Sequence, residues 1–215
     1  MLHFRKLKIS FVAALTLDSI LTSCHSIDEV IPTNSSQTKS ARIQAVALTE
    51  GFEVGSTSPK TAYDVAPAGS SSGDNVTLQA KSWNLYDGLI ANSTSDKKSG
   101  TWSARVRNTG KITMLFDQTI GISTVTVKHA TYGTDVASTW GLWYSINGGS
   151  TWTQSGSNIT TTSTLQTQTF TLTLTGTVRL EIRKATGGTN RINIDDIIIN
   201  GNGGSKKLKV PCCEG

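Results

Sequence analysis

Three cysteines, three histidines and four prolines are all that this 215-residue chain contains of those residues. Cys212 and Cys213 are adjacent, a spacing that rarely bridges, and Cys24 stands alone near the N-terminus. Neither a disulfide framework nor a zinc knuckle is supported, so packing must hold the domain together. With His3 and His25 near the N-terminus, His129 is the one histidine left to a folded body, and beside Lys128, Ala130 and Tyr132 it reads as a solvated strand residue. The sequence has no G-x-S-x-G elbow, no phosphate-binding glycine loop, no H-E-x-x-H pair and no Cys/His pair within the folded part. Charged residues make up only 16% of the chain, and long runs rich in Ala, Leu, Glu and Lys are missing. Helix is therefore the minority state, and Ser, Thr and Gly set an all-β, secreted composition.

What is present begins with an export signal. Arg5, Lys6 and Lys8 precede an apolar run from Ile9 to Leu21 that is too short to span a membrane and is interrupted by Asp18. It ends in Leu21-Thr22-Ser23-Cys24, which resembles the bacterial lipobox. That resemblance implies cleavage before Cys24 and a lipid anchor on its sulfur; an ordinary signal with a coincidental cysteine is the competing reading. Residues 1–23 are then a signal peptide and 24–49 a Ser/Thr-rich flexible tether. Asp28 and Glu29 just after Cys24 resemble surface-export signals of Bacteroidetes lipoproteins. The expected location is the cell envelope, as an outer-membrane lipoprotein or a secreted protein.

The net charge of +5 sits mostly outside the body. Between residues 50 and 200 there are 12 basic and 11 acidic side chains, so bulk electrostatics does not support nucleic acid as a partner.

From residue 50 to 200 short alternating segments are separated by Gly, Asn, Asp and Ser clusters, the spacing of a β-sandwich. In TVRLEIRK, Val178, Leu180 and Ile182 point one way and Arg179, Glu181 and Arg183 the other. Phe170, Leu172 and Leu174 oppose a row of threonines, and Thr175-Gly176 makes a tight link to the next strand. The residues 201–215 read as a polar tail or a truncated linker.

SINGGSTW, Ser145 to Trp152, resembles the Asp box of sialidase propeller blades, with Asn147 in place of the Asp. A six-bladed propeller does not fit in this length, and the arginine cluster and nucleophilic Tyr of a sialidase are not evident. The box reads as a hairpin in which Gly148 and Gly149 permit positive φ, Asn147 bonds its own backbone and Trp152 packs beneath. Asp87, Asp96, Asp117, Asp135 and Glu181 are the carboxylates from which a glycosidase pair would have to come, but spacing brings no two together.

Binding has better material. In TWGLWYSI, period two places Trp140, Leu142, Tyr144 and Ile146 on one face, leaving Trp143 on the other. An exposed Trp143 would stack on a sugar ring or a base; covered by a loop or neighbouring strand, it would not. Arg105 and Arg107 share a face and form a basic stripe with Arg179 and Arg183 if those strands adjoin, or are solvated charges paired with Glu181 and Asp117.

The order of GFEVG, SWNLYDGLI, SGTWSARVRNTGKITMLFD, HATYGTD, LQTQTF and NRINIDDIII resembles a β-sandwich domain of secreted Bacteroidetes proteins, often found N-terminal to DNA/RNA non-specific endonucleases. The FE near the start and the IDD near the end resemble the jelly-roll carbohydrate-binding modules. That resemblance implies an antiparallel jelly-roll sandwich and a structural calcium held by Glu53, Asp195 and Asp196; the alternative is that these carboxylates cap turns or pair with Arg191 and Lys60. The histidine motif of the endonucleases is missing. The chain is therefore read as a non-catalytic binding or accessory domain that takes a glycan or other extracellular polymer. The alternatives are the accessory part of an endonuclease whose C-terminal catalytic domain is absent, or a structural spacer or adhesion unit.

Overall fold

A computed structural model describes residues 46–64 and 73–202. The signal, Cys24, most of the tether, and the tail from 203 with Cys212 and Cys213 lie outside the described residues. Among the described residues ten strands are formed: β1 Val46–Glu50, β2 Asp74–Thr77, β3 Ser82–Ala91, β4 Ser103–Met114, β5 Ile122–Thr131, β6 Thr139–Ser145, β7 Thr153–Thr160, β8 Gln166–Leu174, β9 Arg179–Lys184 and β10 Ile192–Asn200. β1 begins four residues before the expected domain start, because Leu48 and Glu50 turn inward and pair along β10.

Every pairing is antiparallel. One layer runs β2-β3-β4-β9-β6-β7 and the other β1-β10-β5-β8. The layers join where Ile192–Ile194 of β10 pairs with Ala104–Val106 of β4. This exchange of partners carries β4 and β10 round the edge of the sandwich, in the jelly-roll manner. Thr175-Gly176 closes no hairpin: β8 pairs with β5 while β9 pairs with β4 and β6, so the link crosses between layers with Gly176 at φ 73°.

Alternation produces the core as the sequence indicated. Val178, Leu180 and Ile182 of one layer meet Phe170 and Leu172 of the other, and Trp140 stands edge-on to Phe170 at 5.7 Å. His129 is a correction to the sequence reading. It is 3% exposed, on the inward parity of Val125 and Val127, with its ring 5.1 Å from Trp140. Burial lowers its pKa, and Nδ1 has no partner among the described residues.

A second device closes the bend between β3 and β4. Asp87 and Asn108 both adopt positive φ, and Asp87 accepts from Asn108 Nδ2 at 2.6 Å and Arg107 Nε at 2.7 Å. Gly110 is required there: a Cβ would lie 2.6 Å from the Tyr86 carbonyl oxygen. Buried Lys184 donates to the carbonyls of Asn108, Thr186 and Gly188 at 3.1, 2.6 and 3.0 Å, tying the bend to the β9–β10 loop.

Candidate functional site

Directly paired residues of antiparallel strands point to the same side, so register alone assembles the outer face of the larger layer. Gln154, Trp143, Glu181, Thr113 and Asn84 form one row across β7, β6, β9, β4 and β3. Gly141, Arg183, Lys111 and Tyr86 form the next. The space over Gly141 is filled by Gln154 and Asn158, whose side chains bond each other at 2.8 Å.

Trp143 is half-buried, and what covers it is a charge. The Arg183 guanidinium lies 4.0 Å from its ring centre and 5.6 Å from that of Trp152. Arg183 Nε donates to Glu181, which also accepts the Thr113 hydroxyl at 2.6 Å and has Lys111 Nζ at 3.8 Å. Trp152 is set by the hairpin, with Gly148 and Gly149 at φ 69° and 94°. There Asn147 Oδ1 accepts from the Ser145 hydroxyl and the Thr151 amide, at 2.8 and 3.0 Å. The turn chemistry anticipated for SINGGSTW is therefore present.

Arg105 and Arg107 are not on this patch. Arg105 makes two bonds to buried Asp96, at 2.8 and 2.6 Å, and stacks on Tyr132 at 4.1 Å; Arg107 holds Asp87 and stacks on Tyr63 at 4.2 Å. β4 and β9 do adjoin, but along Lys111–Thr113, past the bend that separates Arg105 and Arg107 from Arg179 and Arg183. Their partners are Asp96 and Asp87, whereas Arg183 holds Glu181 and Arg179 holds Asp117. Burial opposes ionisation of Asp96, but bonds from Arg105, Asn193 and Ser93 outweigh it and hold its pKa below the usual range. The Arg191 bonds do the same for Asp135.

Glu53, Asp195 and Asp196 are neighbours around the β10 bulge, where Asp196 has φ 40°. Asp195 is fully buried and accepts from the amides of Ser99 and Asp196 at 2.6 and 2.8 Å. Burial first, then repulsion from Asp196 and Glu53, pushes its pKa up to about 6. Glu53 accepts from the amides of Thr101 and Trp102, and Asp196 pairs with Lys128 at 2.7 Å, while Arg191 and Lys60 hold other carboxylates. Among the described residues no three His, Cys, Asp or Glu side chains converge as a metal-binding group.

Two grooves flank residues 53–61, one of 590 Å³ that reaches Trp102 and Arg105 and one of 300 Å³ against Leu78. Trp143, Arg183 and Lys111 line neither groove. Tyr86, Lys111, Thr113 and Trp152 were not singled out for it from sequence, because alternation gives a residue's face but not its neighbours on other strands.

The strands and this face define an antiparallel β-sandwich with an aromatic and cationic outer surface. No family model and no curated protein matches the chain. Among solved structures, the CBM22-1 xylan-binding domain of Paenibacillus barcinonensis Xyn10C shares 9% identity at TM-score 0.47, covering 74% of this chain and 95% of that one. The K2 cleaved adhesin domain of Lys-gingipain shares 16% at TM-score 0.49, covering 71% and 98%. TmCBM61 in complex with beta-1,4-galactotriose shares 13% at TM-score 0.41, covering 54% and 86%. At such identities and scores the likeness is one of fold, and no functional argument follows from it.

Proposed function

We propose that this chain is a non-catalytic extracellular binding domain that presents the outer face of the larger layer to a glycan. The arrangement of Trp143, Arg183 and Trp152 on the outer face of the sheet carries the reading: Arg183 occupies one side of the Trp143 ring, and the aromatic surface it leaves, with that of Trp152, suits the apolar face of a sugar ring. The carboxylates weighed for glycoside hydrolysis support the absence of catalysis. Asp87, Asp96, Asp117, Asp135 and Glu181 are each held by an arginine, and at Asp96 and Asp135 those bonds hold the carboxyl below its usual range, against the protonated form that a general acid needs. His129 is shut in the core.

Acylation of Cys24 would place the domain on a membrane leaflet by way of its tether, in the cell envelope. Calcium at Glu53, Asp195 and Asp196 would pin β1 and the loop before β4 to the β10 bulge; binding requires Lys128 to leave Asp196. Affinity electrophoresis of the full chain in gels containing plant and microbial polysaccharides tests the glycan reading. Retardation by at least one polymer that is lost in Trp143→Ala upholds it, and retardation by none, or equal retardation of the variant, overturns it.

A further inference from the structure

Resting on the reading of the Trp143 face as a glycan site, we infer that the glycan is acidic, a polysaccharide bearing uronate carboxylates. Among the described residues, Glu181 is the one carboxylate that serves two cationic side chains, Arg183 and Lys111. The other arginines among the described residues pair one to one with an aspartate, Arg179 with Asp117 being the nearest example. The group formed by Lys111, Glu181 and Arg183 therefore carries one surplus positive charge, and it lies directly beside the Trp143 ring.

Glu181 cannot turn outward to compensate. It is buried, with one oxygen taken by Arg183 Nε and the other by the Thr113 hydroxyl. What the face offers to a ligand is donors. Lys111 Nζ, 3.8 Å from Glu181, is beyond hydrogen-bond reach of it, and its side chain is 39% exposed. The Nη groups of Arg183 make no hydrogen bond among the described residues, since its bond to Glu181 uses Nε. Sugar hydroxyls both donate and accept, whereas a carboxylate only accepts and takes charge-assisted bonds from ammonium and guanidinium groups.

Geometry orders the contacts. Trp143 on β6, Arg183 on β9 and Lys111 on β4 occupy three successive strands, so the two cations lie about 5 and 10 Å from the tryptophan's strand. A sugar packed against the part of the Trp143 ring that Arg183 leaves uncovered meets that guanidinium with its own carboxylate, and the next residue of the chain extends towards Lys111. Single-stranded nucleic acid would also stack and carry negative charge. It needs a row of cations along its phosphates, however, and here one surplus charge stands in a body with 12 basic and 11 acidic residues.

The test is quantitative affinity electrophoresis of the full chain against polygalacturonate, the same polymer with its carboxyl groups reduced to alcohols, and oligothymidylate. The acidic polymer should bind about tenfold more tightly than its reduced form, the effect of one charge-assisted contact. Lys111→Gln should lose about that factor on the acidic polymer and Lys111→Arg should keep it, with thermal melts confirming that both variants fold. Equal affinity for the acidic and reduced polymers overturns the acid preference and leaves the glycan reading standing. Binding to neither overturns the acid preference while the glycan reading is decided by the wider panel of polysaccharides, and tighter binding to oligothymidylate than to polygalacturonate overturns the uronate assignment.

Discussion

The guanidinium of Arg183 lies 4.0 Å from the centre of the Trp143 ring, held by the carboxylate of Glu181 two residues before it on the same strand. Removing it in Arg183→Ala should cost about 2 kcal/mol of stability, because one oxygen of buried Glu181 loses its donor. The folded variant should in addition lose about tenfold in polymer affinity. Urea melts alongside affinity gels check the split, and a parallel loss in both would mark Arg183 as purely structural.

Lys184 presents a different situation, a buried ammonium satisfied by three carbonyls. Burial lowers its pKa, with Asp135 and Asp87 pulling in the opposite direction. Lys184→Met leaves those carbonyls without their donor at the β3–β4 bend and should destabilise by about 3 kcal/mol in urea unfolding.

Acid should act on the fold through His129. Its folded pKa is depressed below 6.5 by burial, so the contribution is present above 6.5 and is lost as pH falls through the folded value, while the unfolded chain takes up the proton first. Glu50 and Asp195, both raised, work in the opposite direction in the acid range. The comparison that isolates the histidine is His129→Phe against the parent. Between about pH 7 and 5 the melting temperature of the parent should drop further than that of the variant.

Two glycines should respond differently to a methyl group. At Gly110 the added carbon meets backbone oxygens of Tyr86 and Asp87 at 2.6 and 2.8 Å, so Gly110→Ala should cost about 3 kcal/mol. Nothing lies within 4 Å of the same carbon at Gly148, where only φ 69° is unfavourable, and Gly148→Ala should cost about 1 kcal/mol. Paired thermal melts compare them directly.

Calcium, if held by Glu53, Asp195 and Asp196, should stabilise the fold by about 2.7 kcal/mol at one hundred times its dissociation constant. Chelation should lower the melting temperature of the parent and leave Glu53→Ala unchanged. No shift on chelation removes calcium from this protein.

The sequence by itself determined the all-β character, the inward residues of most strands and the turn at Asn147–Gly149, because alternation and positive-φ glycines act over a few neighbouring residues. Even the burial of His129 was written in its parity with Val125 and Val127, and its polar neighbours concealed it. Tertiary structure alone decided that Trp143 meets Arg183, that Glu181 serves two cations, and that Arg105 and Arg107 are drawn away to Asp96 and Asp87. Those contacts depend on which strands adjoin, and in a jelly roll the neighbours come from distant parts of the chain: β6 lies beside β9, and β4 lies between β3 and β9. Strand order follows from burying one continuous core, and no local pattern of residues encodes it.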